Sequence, residues 1–293
     1  MTPDIRTIGV VGAGNMGNGI AQVCALAGYT VVIYDIDAAK VASARATIET
    51  SLGRQVRRGT VSADQAVAAV AKVHPTGTIT HLSPCELVIE SVSEDEEAKR
   101  AVYAALQPVL RPSAILATDT SSISVTRLAS ATERPAQFVG MHFMNPVPMM
   151  ELVEVIPGVA TAPHVTASIE AVARRLGKTP VVAQDFPAFM VNRILAPMIN
   201  EAIYVLYEGV ATADRIDAAL ELGAHHPMGP LKLADFIGLD IVLSIMRVLH
   251  EGLADQKYRP CPLLIRYVEA GWLGRKSGRG FYDYAFDPPK PTR

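Results

Sequence analysis

Residues 5–17 place an apolar run, Ile5 to Val11, directly before Gly12–Ala13–Gly14–Asn15–Met16–Gly17, and a helix-like stretch follows at once. No other segment restricts the fold so strongly. A short apolar run reads as a buried strand. Glycines at this spacing let a strand turn tightly into a helix packed against it: Gly12 permits the turn, Gly14 lets a ligand approach the backbone, and Gly17 lets helix and sheet close up. The helix opening at Asn15 and Met16 presents N–H groups and a partial positive charge to a phosphate. Alone the spacing is weak, since glycines punctuate many turns. It gains weight from Asp35, which ends the next strand-like run, Thr30–Tyr34. A carboxylate there accepts hydrogen bonds from an adenosine ribose and repels a 2′-phosphate, so the pair predicts NAD rather than NADP.

The rest of the N-terminal part keeps the alternation. Strands are expected at 87–90, 115–118, 138–142, 151–156 and 179–183, and helices at 95–107, 124–131 and 164–176. A helical arm over 38–73 is broken at Arg57–Thr60. Alternation of this kind predicts a parallel, doubly wound α/β sheet covered on both faces. After Asp185–Phe186–Pro187 only helices are expected, at 188–208, 212–222, 231–252 and 262–271, with a frayed tail over 288–293. The boundary falls at 186, giving domains 1–186 and 187–293. The helix from Phe189 is apolar nearly all round, so it is expected to be buried on all sides, in part by a second copy of the chain, and to bend at Pro197.

Composition excludes several classes. The 293 residues are 49% hydrophobic, enough for two cores, and the formal net charge is −2, which gives no general affinity for nucleic acid. Three cysteines without Cys-x-x-Cys spacing read as reduced thiols, not a zinc site or a disulfide framework. His225–His226 precede a turn and lack acidic or cysteine company, so no metal is expected. Residues 1–4 lead straight into the first strand, and no span of 18 uncharged apolar residues occurs. A cytoplasmic protein without membrane segments is the expectation.

A second site gathers at strand ends. His142 ends the run at 138, Ser121 follows the strand at 115, Glu154 lies inside the apolar strand at 151, and Asn192 opens the apolar helix. Each has an ordinary structural reading by itself. A carboxylate inside an apolar strand needs a partner, and an imidazole supplies one. Glu154 would then fix the tautomer of His142, and His142 would act as general base for an alcohol whose hydride goes to NAD. Ser121 and Asn192 would bind the substrate oxygens.

With these residues in view the chain resembles the L-3-hydroxyacyl-CoA dehydrogenases, most closely the short bacterial 3-hydroxybutyryl-CoA dehydrogenases. The carriers span nearly the whole chain: residues 9–22, 117–129, 138–155, 189–202, 226–240 and 271–284. The resemblance implies a Rossmann-like N-terminal domain and an all-helical C-terminal domain that dimerises. It implies reversible NAD-dependent oxidation of an (S)-3-hydroxyacyl-CoA by His142 with Glu154. It places Ser121 and Asn192 at the substrate, Asp35, Glu94, Lys99, Ser121, Asn145 and Lys276 at the cofactor, and Ser51 and Arg58 at coenzyme A. Arg54, Arg57 and Arg58 read equally well as a solvated helix face. The chain departs from the pattern at Asp119 (Asn in the family), Met144 (Phe) and Phe186–Pro187–Ala188 (Thr-Pro-Gly). Asp119 is expected near the nicotinamide ribose, or else at solvent or capping the helix near residue 124. A CoA-free 3-hydroxy acid, as in gulonate and carnitine dehydrogenases, is the alternative substrate. A non-catalytic, crystallin-like NAD-binding protein is the alternative of another class.

Overall fold

The computed structural model describes residues 5–293; the reading of residues 1–4 lies outside them. The chain divides into two compact units, Met1–Phe186 and Pro187–Arg293.

The first unit holds, among the described residues, an eight-stranded sheet. In chain order its elements are β1 (Thr7–Val11), α1 (Asn15–Leu26), β2 (Thr30–Tyr34), α2 (Ala38–Arg57), α3 (Ala63–Ala71), β3 (Val73–Thr76), β4 (Leu87–Glu90), α4 (Glu96–Leu106), β5 (Ile115–Thr118), α5 (Val125–Ala129), β6 (Phe138–Phe143), β7 (Leu152–Pro157), α6 (Pro163–Arg175) and β8 (Thr179–Val182). The strand order is β3-β2-β1-β4-β5-β6-β7-β8. Chain order reverses between β1 and β4, the switch point beyond whose carboxyl ends ligands sit. The glycine loop leaves β1 at that point.

Two features differ from the sequence reading. Val73, taken as the end of the arm, begins the edge strand β3, where Pro75 is tolerated because one side of an edge strand needs no donor. The sheet is also not parallel throughout. β1 to β6 pair in parallel, β7 runs antiparallel to β6, and β8 follows β7. Only residues 144–151 join β6 to β7, too few for the crossover of a dozen or more residues that a parallel pair needs. The reversal sets the register that places Glu154 directly opposite His142.

The arm is two helices packed on each other. Asp37 caps α2 through the Ala39 N–H, and Ser62 with Gln65 forms a capping box on α3. Only Ala44, Ile48 and Leu52 of the twenty residues of α2 are buried, which leaves its polar faces outward.

The second unit comprises α7 (Val191–Tyr207), α8 (Ala213–Gly223), α9 (Pro230–Ile237), α10 (Leu239–Leu253) and α11 (Pro262–Glu269). The single helix expected over 231–252 is two, because Gly238 breaks it at φ 107°, outside the helical region. The tail is not frayed. Lys290–Pro291 (β10) pairs with Tyr282–Asp283 (β9), and Thr292 donates its N–H to the Phe281 carbonyl at 2.9 Å. That ribbon is anchored by buried Asp235, which accepts the N–H groups of Phe281 and Tyr282 at 2.9 Å each. Within the single chain, Ala196, Ile199, Ile203 and Leu206 of α7 face the unit's core, while Ile194 is 68% exposed. The helix runs on through Pro197.

Ala188, where the family pattern has glycine, lies at φ 59° and is fully buried. A non-glycine residue in that region costs about 1–2 kcal/mol. Burying the methyl returns about 0.8 kcal/mol, and the glycine it replaces would lose about 0.5–1 kcal/mol more chain entropy. The effects nearly cancel, which explains how alanine stands in a glycine position.

Candidate active site

The loop after β1 has the shape a dinucleotide requires. Gly12 donates its N–H to the Tyr34 carbonyl at 2.7 Å and sits at φ 104°. A Cβ on Gly17 would lie 1.8 Å from the Gly12 carbonyl oxygen, so no side chain fits there. Gly14 is the reverse case: a Cβ there meets nothing within 4 Å. It caps α1 without a side-chain hydrogen bond, and no acidic residue occupies the first turn. The helix N-terminus therefore faces an open approach, and the residues fit a pyrophosphate.

Asp35 does more than the sequence indicates. Its Oδ2 accepts the Ala13 N–H at 2.8 Å and its Oδ1 accepts the Asp37 N–H at 2.9 Å. The carboxylate expected to meet a ribose thus also ties down the glycine loop. Asp35→Ser is expected to narrow the preference for NAD over NADP by removing charge repulsion, and to weaken NAD about tenfold or more through the loosened loop. Dissociation constants for both cofactors check this. A wild type that prefers NADP overturns the reading of Asp35.

Asn15 Nδ2 donates to Asn145 Oδ1 at 3.3 Å, joining the glycine loop to the segment after β6. A cleft opens beside this contact, and Ser51 and Arg58 of the arm line it together with Asn15 and Asn145. The structure thus brings the expected coenzyme A residues to a cleft they share with expected cofactor residues. Met16 is half-buried against the sheet core.

Glu94 and Lys99 belong to a network around the buried Glu90 that the sequence reading did not find. Glu90 is fully buried and accepts from Lys99 Nζ at 2.8 Å, the Tyr103 hydroxyl at 2.7 Å, the Thr118 hydroxyl at 2.8 Å and the Val92 N–H at 2.8 Å. Lys99 also lies 3.4 Å from Glu94 Oε2. Glu94 Oε1 in turn accepts the Ser121 N–H at 2.8 Å, the Ser121 hydroxyl at 3.0 Å and the Thr120 hydroxyl at 2.8 Å. Burial pushes the Glu94 carboxyl up, but the Lys99 charge and these hydrogen bonds outweigh it and hold it below the usual carboxylate range. Lys99 is only 1% exposed. Lys99 holds Glu94, and Glu94 in turn holds Ser121. An acidic residue ending the apolar run Leu87–Ile89 was the available signal for Glu90.

His142 is buried near the end of β6, and its Nδ1 lies 2.7 Å from Oε2 of the fully buried Glu154. With Glu154 ionised, Nδ1 carries the proton and Nε2 the lone pair. That arrangement can accept a proton at Nε2 and stabilise the cation formed. Asp119 does not point to solvent: it accepts the Phe143 N–H and the Ser91 hydroxyl, both at 2.9 Å. Met144, the departure next to it, is half-buried. Asn192 and Lys276 belong to the second unit. Asn192 lies in the first turn of α7, and the Lys276 ammonium is 2.8 Å from Asp240 Oδ2.

Comparisons with known proteins agree with this geometry. The family model for the 3-hydroxyacyl-CoA dehydrogenase NAD binding domain matches residues 7–186, and that for the C-terminal domain matches residues 189–284. A 3-hydroxybutyryl-CoA dehydrogenase of Bradyrhizobium diazoefficiens is 58% identical over the full length of both chains. The crystal structure of an (S)-3-hydroxybutyryl-CoA dehydrogenase from Ralstonia eutropha superposes with a TM-score of 0.93 at 46% identity, covering 96% of this chain and 99% of that one. A 5-formyl-3-hydroxy-2-methylpyridine 4-carboxylic acid 5-dehydrogenase, an NAD⁺-dependent dismutase, gives 0.79 at 32% identity over 96% and 91% of the two chains.

Proposed function

The chain belongs to the 3-hydroxyacyl-CoA dehydrogenase family and is an NAD-dependent dehydrogenase of that class, and on that premise we propose that it interconverts short-chain (S)-3-hydroxyacyl-CoA, 3-hydroxybutyryl-CoA in particular, and 3-oxoacyl-CoA, with His142 as the proton-transferring group. The 2.7 Å contact between His142 Nδ1 and Glu154 carries this reading. It lies at the carboxyl edge of the sheet, the same edge as the glycine loop. Glu154 holds Nδ1 protonated, so Nε2 takes the proton of the substrate hydroxyl and the carboxylate stabilises the imidazolium that results. NAD, when bound, takes the hydride from the same carbon. Ser121, held by Glu94 through its N–H and its hydroxyl, is assigned to contacts with substrate and cofactor. Asn192 is assigned to the substrate, and Asn145 and Lys276 to the cofactor.

Support for a CoA thioester comes from the cleft beside the glycine loop, which Ser51, Arg54 and Arg58 line. The pyridine carboxylic acid dehydrogenase at 32% identity keeps a CoA-free acid as the competing substrate. NADH consumption with acetoacetyl-CoA and, in parallel, with acetoacetate separates the two. Acetoacetyl-CoA is expected to react far faster. Equal rates would point to the free acid, and no consumption of NADH with either would overturn the reading.

Arg58→Ala is expected to raise KM for acetoacetyl-CoA by about 3–10-fold, the range of an exposed charge contact. The increase should be larger at low salt, because a phosphate contact is screened. The same change in KM for a CoA-free analogue would show that the arm does not bind the CoA.

The proposal extends to a homodimer through the second unit. Ile194 on α7, Leu222 on α8 and Phe236 on α9 leave apolar side chains exposed at 68%, 80% and 49%, surface of the kind a second copy covers. No helix among the described residues is long and apolar enough to cross a membrane, and a cytoplasmic location is part of the same proposal.

A further inference from the structure

Asp119 follows β5 at the sheet edge that carries His142. Its Oδ1 accepts the N–H of Phe143, the peptide unit that leaves His142, and its Oδ2 accepts the Ser91 hydroxyl. An asparagine in the same rotamer would satisfy both positions. Its carbonyl oxygen would accept the Phe143 N–H, and its amide would donate to the serine oxygen. The hydrogen bonds therefore give no reason for a carboxylate; only the negative charge does. A half-buried, partly desolvated carboxylate is favoured by a nearby cation. Two face it electrostatically: Lys99 from α4 and His142 from β6. Lys99 is already held by Glu90 from β4 at 2.8 Å and by Glu94 at 3.4 Å. His142 is held by Glu154 from β7 at 2.7 Å, and it is charged only when it has taken a proton.

We propose that Asp119 is a positioning residue that acts on His142 by charge: ionised, it joins Glu154 in favouring the imidazolium, and it favours oxidised over reduced nicotinamide at the same sheet edge. The inference rests on the reading of His142 as the proton-transferring group. Burial pushes the Asp119 carboxyl up to about 7, against the charge of His142, the hydrogen bonds from Phe143 and Ser91, and the charge of Lys99, all of which lower it. Asp119 thus changes charge near neutrality.

The sign follows. Oxidation needs a neutral imidazole to accept the proton, and an ionised Asp119 opposes that state. Asp119→Asn keeps both hydrogen-bond positions and removes the charge. It is expected to move the acid limb of the oxidation pH–rate profile to lower pH by about 0.5–1 unit. Only one form of nicotinamide carries a positive charge, so the NADH/NAD⁺ affinity ratio should shift toward NADH by about threefold to thirtyfold. Rates with 3-hydroxybutyryl-CoA and NAD across pH 5–9, together with fluorescence titrations of both cofactors, test this on the full chain. Asp119→Ala, which also removes the hydrogen bonds, should move the profile in the same direction. A profile unmoved in Asp119→Asn overturns the inference and leaves the reading of His142 intact. If the wild type turns over no acyl-CoA, the functional reading fails instead, and the cofactor ratio decides: an unchanged ratio in Asp119→Asn overturns the inference.

Discussion

His142→Gln is expected to lower kcat by about 10²–10⁴, the usual contribution of a positioned acid–base group, while NAD affinity changes by no more than a few-fold. Glutamine has a similar reach, and its amide can still donate to Glu154, so the β6–β7 pairing keeps a polar partner for a fully buried carboxylate. It cannot take up a proton. The glycine loop and Asp35 lie on other elements, and the hydrogen bonds of that loop run to Tyr34 and Asp35. Initial rates, cofactor titration and thermal unfolding of the same preparation separate the outcomes. A variant that loses stability but keeps near-normal kcat would make His142 a core residue and remove it from the mechanism.

Lys99→Met is expected to produce the largest loss of stability. Methionine fills similar volume without a charge, and it leaves Glu90 fully buried beside an unbalanced Glu94. Breaking a buried ion pair by removing one partner costs about 3–5 kcal/mol. The lower end applies here, because Glu90 keeps the Tyr103 and Thr118 hydroxyls and the Val92 N–H. About 3 kcal/mol corresponds to a Tm lowered by about 6–12 °C for a unit of this size. The pH dependence has a definite sign. Glu94 is held below its ordinary value, so its contribution is present above about pH 4.3 and is lost as pH falls through the lower folded value. Part of that contribution comes from Lys99, so the gap between variant and wild type should be widest near neutrality and narrow in acid. Calorimetry at pH 7 and pH 4 measures both effects. A Tm within about 2 °C of wild type at pH 7 would show that the two carboxylates are satisfied without the lysine.

These two variants probe residues that were differently visible in the chain. His142 and Glu154 stand out locally, one at the end of an apolar run and one inside another, and chemistry alone suggests that they belong together. Lys99 sits in an ordinary amphipathic helix. Nothing within a few residues of it marks the buried carboxylate at Glu90. Asp119 is legible as a departure from a pattern, but its acceptor role toward Phe143 and Ser91 is not.

The sequence by itself determined what depends on near neighbours along the chain. Backbone sterics at Gly12 and Gly17, the apolar runs of β1, β2, β4, β5 and β6, and the change to helical periodicity after Pro187 are short-range properties, and they imply the α/β sheet, the helical unit and the dinucleotide loop. The tertiary structure decided what depends on distant residues meeting. A link of only eight residues reverses β7 and sets Glu154 across from His142. Gly238 divides one apolar stretch into α9 and α10. Buried Asp235 holds a tail whose composition suggests disorder. The Glu90–Lys99–Glu94 chain joins β4, α4 and the segment after β5 only because strand order brings those ends together. Side-chain partnerships of this kind follow from strand direction and register, and those are set by connection length and packing across the sheet, not by the residues on either side.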